Sequence, residues 1–157
     1  MTFGFIHFAD AHLGYQQYGL EERANDYLRS FRDVVDYGIE SKVNAILCAG
    51  DLFDKHSPSA HTLYQTICLL QKVNDAKIKF IVIEGNHDKP LLLGEFSFLQ
   101  LLHELGYLTL LKPRFEAGKP VIDENSCLEL SQVRVIGLGY HGPLARSRLP
   151  IMVAGIQ

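Results

Sequence analysis

Long apolar runs are missing from this 157-residue sequence: none approaches the roughly 20 residues that a bilayer-spanning helix needs, which excludes a helical membrane protein. A leader is missing as well. Met1 runs straight into a strand-like stretch, with no basic segment or small-residue cleavage site, so no secretory signal is expected. Cysteine is scarce and odd in number. Cys48, Cys68 and Cys127 are far apart among apolar neighbours, without zinc-ligand spacing, and read as buried free thiols of a reducing compartment. An excess of positive charge is also absent, and the net charge of −3 gives no general field for nucleic acid. Any such binding must use a local patch or bound cations. There is no internal repeat, low-complexity segment or linker. The 47% hydrophobic and 21% charged fractions suit one globular domain, or part of one, with a real core.

The chain is organised around Ala45 to Asp54, AILCAGDLFD. Its apolar run ends abruptly in Gly50 and a carboxylate, Asp51. Such a run suits a parallel strand covered on both faces, and chemistry gathers beyond the carboxyl ends of parallel strands. Two other stretches repeat the design: Phe3 to Ala9 leads into Asp10-Ala11-His12, and Ile78 to Glu84 leads into Gly85-Asn86-His87-Asp88. Side by side, the three strands deliver Asp10, His12, Asp51, Asn86 and His87 to one crevice. Mixed carboxylate, amide and imidazole donors suit a hard to borderline divalent metal, and a carboxylate can bridge two such ions.

The set Asp10-x-His12, Gly50-Asp51-x-x-Asp54 and Gly85-Asn86-His87-Asp88 resembles the calcineurin-like metallophosphoesterases. The wider wording, His7 to Tyr15, Gly50 to Phe53, Pro58-Ser59 and Glu84 to Asp88, is similar to the nuclease subunit of the SbcD-type double-strand-break repair complex. The resemblance implies the first half of a four-layer α/β/β/α sandwich, with a mixed sheet flanked by helices. It implies hydrolysis of phosphate esters, here DNA phosphodiesters by exonuclease and endonuclease action, with two divalent ions, usually Mn2+. Asp51 would bridge ions about 3.5 to 4 Å apart, and a water between them would attack phosphorus in line. Asp10 and His12 would complete one ion and Asn86 begin the other; His87, a general acid or hydrogen-bond donor, would have its tautomer held by Asp88. DNA, an SMC-like ABC-type ATPase subunit and a second copy of the chain are the implied partners, in the cytoplasm or at the nucleoid.

Two features depart from the repair-nuclease pattern. Many members carry a histidine after Gly-Asp-Leu-Phe, where this sequence has Asp54; His56 could substitute for it in space or be an ordinary exposed residue. The family also completes its site with later histidines, and nothing after His141 supplies an imidazole. Residues 1–157 therefore read as a metallophosphoesterase domain ending before its last ligand motifs. Another phosphoesterase, such as a nucleotide phosphodiesterase, and a catalytically incomplete interaction module stay open as alternatives. A protein phosphatase fits less well, because Lys55-His56 and Asp88 depart from its wording.

The remaining chain reads as scaffold. His7, within the first strand, is taken as structural. Tyr15 and Tyr18, in a loop from Leu13 to Leu20, either stack on bases or pack the loop. Helices are expected over Glu21 to Ser41, over Ser59 to Asn74 and over Gly94 to Leu105. The last two are apolar on more than one side, which marks either full burial or a dimer face through Leu63, Ile67, Leu70, Phe98, Leu101 and Leu102. Strands are expected at Tyr107 to Leu111 and Val133 to Tyr140, a hairpin over Lys119 to Leu130 turning at Asp123 to Ser126, and Pro150 at the first position of a final element. His141 is read as a rim residue.

Overall fold

Alternation along the strands decides the layers. In β2 (Ala45–Cys48), Ile46 and Cys48 join the larger core with Leu28, Phe31 and Val35 of α1 (Glu21–Glu40) and Leu69, Leu70 and Val73 of α2 (Ala60–Asp75). Ala45 and Leu47 face the other way, into a smaller core with Leu111, Leu128 and Val135. β3 (Lys79–Val82) repeats this, with Phe80 and Val82 toward the helices and Ile81 toward the smaller core. A period of two is what a sheet covered on both faces requires. The computed structural model describes residues 3–90, 92, 95–116, 119–154 and 156.

β1 (Phe5–Phe8), β2, β3 and β4 (Thr109–Leu110) lie in that order, all parallel. Parallel neighbours need crossovers, supplied by α1, α2 and α3 (Phe98–Glu104). A consecutive order with one crossover hand puts the three helices on one face. The opposite face is left to an antiparallel ribbon, β7 (Cys127–Leu130) with β8 (Val133–Ile136), whose Leu128, Leu130 and Val135 pack on the sheet. Helices, parallel sheet and second β layer thus follow in the expected succession. Among the described residues, antiparallel pairing is confined to this ribbon and to β5 (Arg114–Glu116) with β6 (Lys119–Val121). Among the described residues, no helix is long and apolar enough to cross a membrane.

Several local expectations change. The third helix begins at Phe98, four residues later than expected, because Ser97 caps it: its hydroxyl accepts from the Gln100 N–H, and the Gln100 side chain accepts from the Ser97 N–H. Gly94 itself lies outside the described residues. The hairpin expected through Asp123 to Ser126 does not form. The fully buried Ser126 hydroxyl donates to the Val121 carbonyl and fixes a turn between two separate ribbons, while β7 turns back through Ser131 and Gln132. The strand expected to reach Tyr140 stops at Ile136, where its partner β7 begins at Cys127; one further bond, from the Gly137 N–H to the Ser126 carbonyl at 2.8 Å, closes the ribbon. Pro150 sits inside α4 (Ala145–Ala154), not at its start. All three cysteines are free, but only Cys48 is buried; Cys68 is exposed on α2 and Cys127 half-buried.

The broad apolar bands of α2 and α3 are mostly internal. Leu70 and Leu102 are 0% exposed, and Leu63, Ile67 and Phe98 pack against the core. Of the six residues expected at a dimer face, Leu101 stands out, at 38% exposed. Leu70→Ala should therefore lower stability by about 2–5 kcal/mol in denaturant unfolding. Leu101→Ala should cost less than about 1 kcal/mol.

Candidate metal centre

Pairing between the first two strands does not stop at their ends. The Ala49 N–H donates to the Phe8 carbonyl at 2.8 Å, Asp10 to Gly50 at 3.1 Å, His12 to Asp51 at 3.0 Å and Leu13 to Leu52 at 2.9 Å. This extension sets Asp10 and His12 beside Gly50 and Asp51. It also bends the chain, for Asp10, His12 and Asp51 have φ of 59°, 43° and 53°. Left-handed backbone is uncommon for residues with a Cβ and costs on the order of 1–3 kcal/mol each. Three such residues, all donors, at adjacent tips mark the place where the fold stores strain.

The β3 tip is locked against the β2 tip by two glycines. A Cβ on Gly50, itself at φ 102°, would lie 2.9 Å from the Gly85 Cα, and one on Gly85 would lie 2.1 Å from Asp51 Oδ1. The Gly85 to Asp88 turn therefore rests directly on Asp51, and the His87 N–H donates to Asp51 Oδ1 at 2.9 Å.

Within this frame the ligand atoms of Asp10, His12 and Asp51 all lie within 4.8 Å of one another, as do those of His12, Asp54 and His87. His12 belongs to both groups. Its Nε2 is 3.8 Å from Asp10 Oδ1, and its Nδ1, buried and without a hydrogen-bond partner, is 3.8 Å from Asp54 Oδ1. The His12 and His87 rings meet edge to face, with centroids 4.9 Å apart. Among the described residues the ion pairs of Asp10 and Asp54 are with His12 only. A concentration of carboxylates, an orphaned imidazole nitrogen and no lysine or arginine partner fit a divalent cation: the ion would satisfy the nitrogen and offset the charge. Three of the expected donors, Asp10, His12 and Asp51, thus form one group, which His12 links to His87, while Asn86, exposed, lies in the same turn as His87.

Asp88 does not hold the His87 ring as expected. Its buried carboxylate accepts from the Gly85 and Leu52 N–H groups through Oδ2 and from Phe53 through Oδ1, at 3.0, 3.3 and 3.1 Å. Burial pushes the Asp88 carboxyl above the ordinary carboxylate range, against the pull of these three donors. His87 Nδ1 instead meets the Asp54 carbonyl at 2.6 Å; a carbonyl only accepts, so Nδ1 carries the proton and Nε2 is left for chemistry. Asp54, quoted in the sequence motif but given no ligand role, joins His12 and His87 in the second donor group. Its place three residues after Asp51, on the same reversing tip, was the available signal for that role. His56 does not replace a site histidine, because its Nδ1 bonds the Lys89 carbonyl. His7 lies outside both donor groups, and His141 bonds the Leu138 carbonyl through Nε2 at 2.7 Å, as a rim residue would. Tyr15 packs edge to face on Tyr27, whereas Tyr18 is exposed.

Comparison with known proteins agrees with this geometry. A family model described as calcineurin-like phosphoesterase matches residues 3–147. The chain is 34% identical over 145 residues to the DNA double-strand break repair protein Mre11 of Methanocaldococcus jannaschii, covering 92% of this chain and 37% of that protein. It is 36% identical over 121 residues to Mre11 of Archaeoglobus fulgidus, covering 77% of this chain and 26% of that protein. A third Mre11, from Aeropyrum pernix, is 42% identical over 85 residues, 54% of this chain and 21% of that protein. The chain thus spans from about a fifth to just over a third of the length of these relatives.

The glycine contact gives a test. Gly85→Ala drives a methyl group into Asp51 and should weaken Mn2+ binding at least tenfold by calorimetry. Gly4→Ala, where nothing lies within 4 Å of the added carbon, should bind as the unaltered protein does.

Proposed function

The chain belongs to the calcineurin-like phosphoesterase family, and on that premise we propose that it carries the metal-binding strand tips of a DNA nuclease acting in double-strand-break repair. One observation carries the reading: Asp10, His12 and Asp51 converge within 4.8 Å beside a His87 whose Nε2 is free. The repair role is supported by the names of the relatives.

Bound there, divalent ions supply charge to polarise the phosphoryl group and to acidify the attacking water. Asp10, His12 and Asp51 would hold the first ion, most readily Mn2+, with Asp51 shared toward a second to which Asn86 offers its amide oxygen. The residues themselves do the positioning. Backbone pairing fixes His12 against Asp51, and the Asp54 carbonyl holds the His87 Nδ1–H and so the ring's orientation; Nε2, a lone pair in the neutral ring, donates to the leaving oxygen only from the imidazolium, which carries a proton on both nitrogens. Asp88 acts at one remove, by joining the tips. Residues 1–157 are assigned to a metallophosphoesterase domain, working in the cytoplasm or at the nucleoid with an SMC-like ABC-type ATPase. A second copy would meet the exposed side of α2 and α3, where Tyr64, Cys68, Leu101 and Leu105 face outward.

Linear DNA, a chromogenic phosphodiester and a phosphopeptide, each with Mn2+, form the direct test. Cleavage of DNA and the diester but not the peptide is expected; turnover of the peptide alone, or of nothing while Mn2+ is bound, would overturn the reading in favour of a phosphatase or a binding module. The donor count also predicts one tight Mn2+ per chain in calorimetry, on the Asp10 side, and two tight sites would contradict it. His87→Ala should slow diester hydrolysis by about 10²- to 10⁴-fold while changing Mn2+ affinity less than threefold, since its Nε2 acts on the reacting group. Equal losses would make His87 a ligand. For assembly, Leu101→Glu with Tyr64→Glu should convert a dimer to a monomer in light scattering; an unchanged mass would place the contact elsewhere.

A further inference from the structure

Directly before and after the Gly85 to Asp88 turn stand Glu84 and Lys89, and both line a cavity of about 590 Å³ that is separate from the donor groups. A volume of this size is that of a small-molecule site. Three aromatic side chains open onto it while staying largely exposed: Phe96 at 64%, Phe115 at 41% and Tyr140 at 46%. Aromatic rings left in solvent around one hollow have not been spent on the core. Cations accompany them. Lys89 Nζ lies 5.3 Å from the Tyr140 ring centroid and donates to the Tyr140 carbonyl at 3.3 Å. Lys112 pairs with the buried Glu84 at 3.3 Å, and Glu84 also accepts the Ser97 hydroxyl, so the cavity floor is neutralised from within. His141, edge to face on Phe115 with centroids 5.3 Å apart, completes the wall.

Exposed ring faces alone would suit an apolar peptide, and ammonium groups alone a free anion. Together they suit a flat π-system carrying a phosphate. We propose that this cavity holds an unpaired nucleobase, with its phosphate toward Lys89, from the strand whose phosphodiester lies on the Asp10–His12–Asp51 group; the inference rests on the nuclease reading and names a subsite for its substrate. A paired base has both faces covered by its neighbours in the duplex, so only a frayed or single-stranded nucleotide can enter. Lys89, two residues beyond His87, ties the subsite to the reacting centre. With Lys112 paired to Glu84 and Glu95 also in the lining, the cavity is not a basic patch, so stacking on the aromatic rings supplies the affinity and Lys89 the single phosphate contact.

The test is equilibrium binding, in EDTA, of a single-stranded oligonucleotide bearing 2-aminopurine at one position, against the same strand with an abasic analogue there. The protein should bind the base-bearing strand on the order of ten- to a hundredfold more tightly, with quenching of the 2-aminopurine. Phe115→Ala with Tyr140→Ala should abolish that difference and Tyr140→Phe should keep it, circular dichroism verifying the fold of each. Equal binding of both strands, or a difference that survives the double substitution, overturns the proposal. A simple phosphodiester without a base, assayed with Mn2+, separates the two readings. Hydrolysis of it without base-dependent binding sinks the cavity assignment and leaves the phosphoesterase; base-dependent binding with no hydrolysis of any diester supports the cavity and sinks the nuclease.

Discussion

Three backbone N–H groups, of Leu52, Phe53 and Gly85, converge on one buried carboxylate, Asp88, and the geometry of the centre depends on that convergence. The Leu52, Phe53 and Gly85 N–H groups find their partner in Asp88 and not in the ladder, and each buried N–H left unpaired costs about 1–3 kcal/mol. By accepting from the β2 tip and the β3 tip at once, Asp88 satisfies these donors and fastens the tips together. The Gly50 and Gly85 contact becomes possible only under that clamp, and Asp51, wedged between them, cannot turn away. Burial raises the energy of the Asp88 charge, so the three donors are needed to stabilise the carboxylate they organise.

The same logic accounts for the strained donors. Left-handed φ at Asp10, His12 and Asp51 would relax in a free loop. Here the continued β1–β2 pairing, reaching Leu13 and Phe53, binds the backbone on both sides of each strained residue. Leu13, Leu52 and Phe53, at most 1% exposed, anchor those pairs in the core. Apolar residues interleaved with the polar ones therefore let a hydrophobic core hold side chains in conformations they would not adopt alone.

Much of this was legible in the sequence, for identifiable reasons. The three apolar runs ending in Gly, Asp, Asn and His announced parallel strands with their chemistry at the carboxyl ends, and the sheet order follows that chemistry. α1 and α2 were readable because a long amphipathic period and, at Ser59, a capping side chain mark them. What was not legible depends on contacts far apart in the chain. The start of α3 is set by Ser97 bonding Glu84 as well as its own helix. The turn at Asp123 to Ser126 looks like a hairpin tip until the buried Ser126 hydroxyl is seen to hold it between two ribbons. The role of Asp88 was misassigned for a related reason: adjacency to His87 suggested a side-chain pair, but in a tight turn neighbouring side chains point apart, and the nearest acceptor for His87 came from 33 residues away.

That acceptor explains how the departure at Asp54 is accommodated. The His87 ring is oriented by the Asp54 main-chain carbonyl, which any residue at that position would offer. The side chain is therefore free to vary without disturbing the tautomer. What the carboxylate changes is the environment of His12, whose unpartnered Nδ1 lies 3.8 Å away. An imidazole in its place would remove a negative charge from the second donor group while keeping a possible ligand atom there. Aspartate at this position thus adds a carboxylate to the second donor group, beside His12 and His87, while the carbonyl beneath it holds the His87 tautomer.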